Sequence, residues 1–252
     1  EGMFRKDEVA VEEWSVENVD VCWQRQRRIL KDIWPTLKPG GLLIYSTCTF
    51  NREEDEDNVF SKEVSKICTV SAAHTSADST QARKGFENGI THATHLFNAM
   101  TPLTHRAPGV VGAALNGDVS VELIVDTVHV DKSLYNMLWK LKGRKLCFIT
   151  DCLPAGGLPV GEYTLGGQKI IYDGTICKLE DGTIAGSVLQ LNKGVWNVYE
   201  NSDIPLYECV NCASLNPATT LGIDNVKGSL EVGKDADIII TDSQFNVKKT
   251  II

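Results

Sequence analysis

Four short apolar runs, each followed closely by a histidine or an aspartate, constrain the fold of this chain more than any other feature. The runs are residues 67–70 before His74, 90–94 before His95, 119–125 before His129 and 146–149 before Asp151. A short apolar run that leads into a metal-capable or acid/base residue is typical of the strand ends of a (β/α) barrel, where that fold carries its chemistry. The pattern predicts one wall of a metal-dependent hydrolase site, on four of the eight strands of such a barrel.

Alternation of strands and helices between residues 60 and 150 supports an α/β fold. The pattern predicts strands at 67–70, 90–94, 119–126 and 145–150, helices at 77–88 and 131–142, and a loop rich in proline and glycine at 101–112. Asp131 is the expected N-cap of the second helix. Such alternation implies parallel strands joined by right-handed crossovers.

The sequence changes character after residue 160, where turn-forming residues separate short apolar stretches. It predicts short strands over 162–184 with turns at Gly166-Gly167, Asp173-Gly174 and Asp181-Gly182, helices at 188–201 and 205–214, and a strand at 238–241. In the first 60 residues, apolar residues at helical spacing predict a helix over 17–37 that Pro35 kinks or ends. A strand over 42–45 is expected to follow.

Composition limits the possible classes of protein. The chain has 252 residues and a formal net charge of −8, and an acidic chain with no basic stripe is a poor candidate for binding nucleic acid. No apolar run approaches the roughly 18–20 residues of a membrane-spanning helix, and no signal peptide is visible. We therefore expect a cytoplasmic protein. Because the chain starts at Glu1 and ends on an apolar run at Ile252, we also expect a fragment or a mosaic.

The eight cysteines are scattered, which indicates reduced thiols and not a disulfide framework. Cys209 and Cys212 form a single C-x-x-C on a predicted helix, where packing is the expected role. Cys147 and Cys152 flank the strand before Asp151, and core packing is expected for both.

The residue types at the predicted strand ends suit the hydrolysis of an amide. His74 and His95, on successive strands, can supply two of the three protein ligands of a catalytic zinc-like ion. Asp151 can accept a proton from the attacking water and return it to a leaving amine, while His129 can polarise or hold the substrate carbonyl. Arg106 suits a phosphate because its guanidinium makes bidentate contacts. The alternative is that these residues are structural.

These residues lie in motifs that resemble those of the N-acetylglucosamine-6-phosphate deacetylases, which belong to the amidohydrolase superfamily. The motifs are Ser71-Ala72-Ala73-His74-Thr75, Thr94-His95-Leu96-Phe97-Asn98-Ala99-Met100, Arg106-Ala107-Pro108-Gly109, Asp126-Thr127-Val128-His129-Val130 and Thr150-Asp151. The resemblance runs from about residue 62 to the end, and includes Ala185-Gly186-Ser187, Asn216-Pro217-Ala218 and residues 233–237.

The resemblance implies a (β/α) barrel beside a small β-sandwich. It also implies hydrolysis of the N-acetyl group of N-acetylglucosamine 6-phosphate, which gives glucosamine 6-phosphate and acetate. His74 and His95 would be ligands of one divalent metal ion, with zinc or iron expected first. Asp151 would be the catalytic general acid/base, and His129 would contact the acetamide or the sugar and take part in catalysis.

The resemblance further assigns the binding of the sugar phosphate. Asn98 and Ala99 would hold it through side chain and backbone, and Arg106 would grip the phosphate across the interface of a homodimer. The family's third metal ligand is a glutamate in a His-Leu-Glu-Gly-Pro-like motif, which does not occur in this sequence. The first strands of the barrel have no counterpart either. We therefore expect two of three ligands, an incomplete barrel and impaired activity.

Residues 1–60 resemble a different family, the NOL1/NOP2/Sun RNA cytosine-5 methyltransferases. The residues that carry this resemblance are Glu1-Gly2-Met3-Phe4-Arg5-Lys6-Asp7, Gln24-Arg25-Gln26-Arg27, Lys38-Pro39-Gly40-Gly41 and Tyr45-Ser46-Thr47-Cys48-Thr49. It implies a Rossmann-like fragment in which Cys48 matches the nucleophile that attacks C6 of cytosine. The family's glycine-rich cofactor loop does not occur in the sequence. We therefore expect no bound S-adenosylmethionine and an inactive Cys48.

Together these interpretations divide the chain into three segments. Residues 1–60 form a methyltransferase-like fragment, 61–225 a partial amidohydrolase barrel and 226–252 a β-sandwich remnant. The leading hypothesis is a metal-dependent deacetylase that acts on a small sugar phosphate. The alternatives are an RNA methyltransferase fragment and a mosaic fragment with no catalytic activity.

Overall fold

The computed structural model of the chain describes residues 15, 21, 24, 25, 28, 29, 31, 32, 34–36, 65, 66, 68–165 and 168–252. The chain divides into two compact units, residues 1–120 and 121–252. Among the described residues, none of the helices combines the length and the apolar character needed to cross a membrane.

The first unit contains a parallel strand–helix–strand arrangement followed by a second helix. Its elements are β1 (Val70–Ala72), α1 (Ser79–Glu87), β2 (Ile90–Ala93) and α2 (Gly109–Asn116). β1 and β2 run parallel, and α1 packs against α2. α1 begins in a capping box: the Asp78 carboxylate accepts the amides of Thr80 and Gln81, and the Gln81 side chain accepts the Asp78 amide. The predicted parallel α/β arrangement is confirmed in this unit.

β1 lies further along the chain than the strand predicted at 67–70. It runs from Val70 to Ala72, because pairing with β2 and not the apolar run fixes its position. The Thr94 amide donates to the Ala72 carbonyl at 2.9 Å, and the hydroxyls of Ser71 and Thr94 lie 2.6 Å apart. The polar pair at the end of the strand is thus part of the pairing.

α2 replaces the second part of the loop predicted at 101–112. Gly109, at its start, has a φ of 60°, and a Cβ there would lie 2.5 Å from the Thr101 carbonyl oxygen. The Thr101 hydroxyl accepts the Val110 amide at 2.7 Å, which satisfies one amide of the first turn. The glycines disfavour a helix by propensity. Tertiary packing outweighs this, because most of the helix is buried.

The described residues of the second unit form a parallel strand pair, a small antiparallel sheet, four α-helices and a terminal strand pair. Its regular elements are β3 (Ser120–Ile124), α3 (Tyr135–Lys142), β4 (Leu146–Ile149), β5 (Gly161–Leu165), β6 (Gln168–Tyr172), β7 (Cys177–Leu179), β8 (Ile184–Gly186), α4 (Leu191–Glu200), α5 (Leu206–Ala213), α6 (Leu215–Thr220), β9 (Ile238–Thr241) and β10 (Val247–Ile251). β3 and β4 pair in parallel, with Ile124 opposite Ile149. α3, α4, α5 and α6 all contact β4, and the core includes Leu138, Leu146 and Val198.

The helices of this unit largely follow the sequence. The predicted helix 131–142 is a 3-10 turn, Lys132–Leu134, that continues into α3, and Asp131 caps it as predicted. The predictions at 188–201 and 205–214 are confirmed by α4 and α5. α6 was not predicted, and the Asn216 amide fixes it to β4 by donating to the Leu146 carbonyl at 2.8 Å.

β5–β8 form an antiparallel sheet in chain order, and β9 and β10 form a separate antiparallel pair. The predicted turns at Asp173-Gly174 and Asp181-Gly182 are confirmed, because the two aspartates accept the backbone amides that close each turn. Residues 166 and 167 lie outside the described residues. The strand predicted at 238–241 is confirmed by β9.

Three of the four cysteine predictions are confirmed. Cys147, Cys209 and Cys212 are buried in the second unit, whereas Cys152 is exposed. Core packing is therefore wrong for Cys152. It follows the end of β4, where the chain leaves the core, and its thiol donates to the Leu153 carbonyl at 3.4 Å.

The first 60 residues are described only in part. Within the helix predicted at 17–37, residues 21, 24, 25, 28, 29, 31 and 32 are helical, and Trp34–Thr36 form a 3-10 turn around Pro35. The strand predicted at 42–45 and Cys48 lie outside the described residues. The incomplete barrel, the β-sandwich remnant and the predicted segment boundaries at 60/61 and 225/226 stay predictions.

Candidate active site

Three of the predicted site residues occupy the same position relative to a parallel strand. His74, His95 and Asp151 each stand two residues beyond the end of β1, β2 and β4 respectively. All three have a left-handed backbone, with φ of 47°, 33° and 48°. This region costs an L residue roughly 1–2 kcal/mol, and such strain is concentrated at functional sites. Ala99, with φ of 51°, is a fourth predicted site residue in this region.

The imidazole rings of His74 and His95 lie against each other in the first unit. Their centroids are 4.6 Å apart and the rings are inclined at 69°, and His95 is only 6% exposed. Two imidazoles this close can contact one ion, so the pair fits as two ligands of a divalent metal. The described residues contain no group of three or more histidine, cysteine, aspartate or glutamate side chains arranged to hold a metal ion.

A tight turn follows His95 and is stabilised by Asn98. The Asn98 backbone amide donates to the His95 carbonyl at 3.0 Å. The Asn98 side-chain nitrogen is 3.3 Å from the carbonyls of both His95 and Leu96. In this arrangement Asn98 offers a ligand its carbonyl oxygen, which suits a sugar hydroxyl better than a phosphate.

Arg106 lies on an exposed loop that lines a cavity of about 410 Å³ at the start of α1. Thr104 closes this loop, because its hydroxyl accepts the Ala107 amide at 3.1 Å. Arg106 lines the cavity together with the hydroxyl-bearing residues Ser79 and Thr80 and with the acidic Asp78. Asn98 and Ala99 are not among the residues that line this cavity.

His129 is held by an aspartate that the sequence analysis missed. β3 ends at Ile124, so Asp126 and not His129 stands two residues beyond this strand. Asp126 Oδ1 accepts the amides of Val128 and His129, both at 2.9 Å. Asp126 Oδ2 lies 2.6 Å from His129 Nδ1. His129 stands five residues beyond β3, and the turn built on Asp126 holds its ring against Asp126 Oδ2.

The electrostatics of the Asp126–His129 pair favour an ionised carboxylate. The two side chains are 11% and 8% exposed respectively. Burial raises the pKa of Asp126, but the hydrogen bonds from the His129 ring, the His129 amide and the Val128 amide outweigh it, so that the net pKa lies below the usual value. The signal that could have identified Asp126 is that it directly follows the apolar run at 119–125.

Asp151 lies beside the Ala185-Gly186-Ser187 motif. The Ser187 amide donates to the Asp151 carbonyl at 3.2 Å, and the Leu153 amide donates to the Ser187 carbonyl at 2.8 Å. These two bonds clamp the backbone on both sides of Cys152, while the Asp151 residue itself is exposed. The Asp151 backbone is thus fixed, and solvent can reach the residue.

The chain is similar in sequence to a known family and to several of its members. The model of the amidohydrolase family matches residues 56–252. The chain is 40% identical over 215 residues to the N-acetylglucosamine-6-phosphate deacetylase of Bacillus subtilis (strain 168), covering 84% of this chain and 54% of that protein. It is 36% identical over 181 residues to the N-acetylgalactosamine-6-phosphate deacetylase of Escherichia coli O157:H7, covering 71% and 48%.

A solved structure agrees with these relatives. The crystal structure of N-acetylglucosamine-6-phosphate deacetylase from Pasteurella multocida matches with a TM-score of 0.76 and 34% identity, over 79% of this chain and 53% of that one. The chain spans about half the length of the curated relatives it matches. The methyltransferase resemblance of residues 1–60 gains no support from these comparisons.

Proposed function

The chain belongs to the amidohydrolase family, and on that premise we propose that it carries the hydrolytic site of a metal-dependent amino-sugar-phosphate deacetylase. The proposed reaction is the hydrolysis of N-acetylglucosamine 6-phosphate to glucosamine 6-phosphate and acetate. The main support is the pair of adjacent imidazoles, His74 and His95, just beyond the ends of two parallel strands that pair with each other. The deacetylase names of the relatives support the substrate class.

His74 and His95 are the proposed ligands of one divalent ion, with zinc or iron as the first candidates. A bound ion of this kind supplies Lewis acidity and lowers the pKa of water. Two imidazoles are one ligand fewer than catalytic zinc sites ordinarily use, so we expect the chain on its own to hold the ion weakly.

Asp151 is the proposed general acid/base. Its carboxylate takes a proton from the attacking water as the new C–O bond forms at the acetamide carbonyl. It then gives that proton to the amine nitrogen as the C–N bond breaks, so that the protons balance over the reaction. His129 is proposed to contact the acetamide and to take part in catalysis.

The sugar phosphate is proposed to bind at Arg106, Asn98 and Ala99. The exposure of Arg106 and the hydroxyls beside it in the cavity support an anion at this loop. We also propose a homodimer in which Arg106 reaches the phosphate held by the other subunit. Analytical ultracentrifugation tests the dimer directly.

The deacetylase proposal is tested by acetate release from N-acetylglucosamine 6-phosphate, with the galactose epimer as a second substrate. Asp151→Asn should lower the rate by about 10²–10⁴-fold, because the proton carrier is lost. Asp131→Asn is the matched control: Asp131 is also an exposed aspartate of the second unit, and its side chain accepts the Ser133 amide at the start of a 3-10 turn. Full activity in Asp151→Asn would contradict the mechanism. A faster reaction with the epimer would revise the substrate.

The metal proposal is tested by elemental analysis of the purified chain. We expect bound divalent metal that is lost in a His74→Ala/His95→Ala double variant and kept in His105→Ala, where the histidine is exposed on the Arg106 loop. Equal metal content in all three proteins would refute the ligand assignment. Metal binding without acetate release from either substrate would favour the non-catalytic fragment.

A further inference from the structure

We propose that Asp126 is a positioning residue for His129: it fixes the ring orientation and the tautomer, so that His129 exchanges protons with substrate only through Nε2. The catalytic consequence rests on the proposed function, whereas the tautomer does not depend on it.

The two carboxylate oxygens of Asp126 have separate partners. Oδ1 holds the turn through the amides of Val128 and His129, and Oδ2 contacts the imidazole Nδ1 at 2.6 Å. An ionised carboxylate only accepts hydrogen bonds, and the lowered pKa of Asp126 keeps it ionised near neutral pH. The proton between these atoms therefore belongs to Nδ1 in both charge states of the ring, which leaves Nε2 for the substrate.

A second turn in the same unit separates the backbone role of Asp126 from its contact with the ring. Asp173 Oδ1 accepts the amides of Thr175 and Ile176 at 2.8 and 2.9 Å, which is the pattern that Asp126 makes with the residues two and three positions later. Asp173 closes its turn without a histidine partner and is exposed. Closing such a turn therefore requires neither burial of the aspartate nor a contact with imidazole, and the Asp126–His129 bond is an addition to it.

The Asp126 turn is also fixed from the strand side. The Asn197 side-chain amide donates to the Val125 carbonyl at 3.0 Å. Gly194, on the same helix, lies so close that a Cβ there would be 2.6 Å from a Val125 methyl. α4 thus holds the residue before Asp126, and the ring of His129 is oriented before substrate arrives. Preorganised groups of this kind lower the cost of reaching the reactive geometry.

Asp126→Asn is the variant that tests the tautomer. Asparagine keeps an oxygen for the two amides but places an NH₂ donor opposite His129 Nδ1, so Nδ1 must become the acceptor. We would record long-range ¹H–¹⁵N spectra of histidine-labelled protein on the alkaline plateau of the titration, and assign His129 from the signal that is lost in His129→Ala. We expect the Nδ1–H form in the wild type and the Nε2–H form in Asp126→Asn.

A matched variant in the second turn controls for the chemical change from aspartate to asparagine. Asp173→Asn makes the same chemical change in the exposed turn and should leave the His129 signals unchanged. An Nε2–H tautomer in the wild type, or the same tautomer in Asp126→Asn, would overturn the proposal. If Asp126→Asn does not fold, the wild-type spectrum alone still decides, because the proposal requires Nδ1–H there.

Kinetics test the catalytic consequence through a double-mutant cycle. In the wild-type background Asp126→Asn should lower kcat by about 10²–10⁴-fold, as expected for a catalytic imidazole in the wrong tautomer, with a smaller change in KM. In the His129→Ala background the same substitution should change kcat little, because Asp126 acts through the ring. If the kcat losses of the two single variants instead multiply in the double variant, Asp126 does not act through the ring and its role is structural. A chain that releases no acetate refutes the proposed function, while the spectra still test the tautomer.

Discussion

Replacement of Thr127 by glycine is predicted to stabilise the protein. Thr127 follows Asp126 in the turn and has a φ of 67°, a region that is least accessible to β-branched residues. The corresponding position is glycine in two other turns closed by an aspartate, with φ of 97° at Gly174 and 85° at Gly182. Thr127 is exposed, so little packing is lost when its side chain is removed.

The expected gain is the difference between two terms. A left-handed backbone costs an L residue roughly 1–2 kcal/mol relative to glycine. Glycine in turn loses more backbone entropy on folding, which costs about 0.5–1 kcal/mol. The net stabilisation should be about 0.5–1 kcal/mol, which raises the Tm of a chain of this size by about 1–4 °C.

Urea titration and scanning calorimetry of Thr127→Gly measure this gain. The reciprocal control is Gly182→Thr, because a Cβ at Gly182 meets no atom within 4 Å and the substitution adds backbone strain without a clash. The two variants should shift the unfolding midpoint in opposite directions. A lower midpoint for Thr127→Gly, or an unchanged one for Gly182→Thr, would refute the argument from backbone strain.

Three further predictions concern the same turn and the helix behind it. Asn197→Ala should cost about 1–3 kcal/mol, measured in urea, because the buried Val125 carbonyl loses its partner. Gly194→Ala should cost about 1–3 kcal/mol in the same assay, because its Cβ would overlap a Val125 methyl. Since the pKa of Asp126 is lowered in the folded state, its ionisation stabilises the fold above the ordinary aspartate pKa of about 3.9, and this contribution is lost as the pH falls through the lowered value. The stability difference between wild type and Asp126→Asn should therefore shrink as the pH falls below about 4. A difference that stays constant between about pH 4 and pH 2 would contradict this.

The sequence located the strands because apolar runs mark buried segments. It placed His74, His95 and Asp151 near strand ends because these residues closely follow those runs. The sequence did not predict the first and last residue of each strand, since these depend on hydrogen bonding to the neighbouring strand. β1 shows this, because Ser71 and Thr94 extend the pair beyond the apolar run. α2 shows the converse, because two glycines predict a loop where burial of the neighbouring valines and alanines stabilises a helix.

Asp126 was missed because a conspicuous histidine three residues later received the strand-end role. The sequence shows that Asp126 and His129 are three residues apart. Only the folded turn shows that the Asp126 carboxylate contacts the His129 ring. Contacts such as that between Asn197 and the Val125 carbonyl join residues 72 positions apart. Spacing along the sequence gives no indication of such pairs.

The left-handed residues that follow the strands share one structural feature. Hydrogen bonds hold the backbone next to each left-handed residue. The Asn98 side chain makes them next to His95, the Ser187 backbone next to Asp151, and the Asp126 carboxylate in the turn that it begins. Strain of about 1–2 kcal/mol at each point persists only when neighbouring contacts fix the backbone. A change at Asn98 or at the Ser187 backbone should therefore let the adjoining turn relax. Loss of the Ser187 amide would displace Asp151 without removing its carboxylate. The activation free energy of acetate release should therefore rise by more than the free energy of unfolding falls.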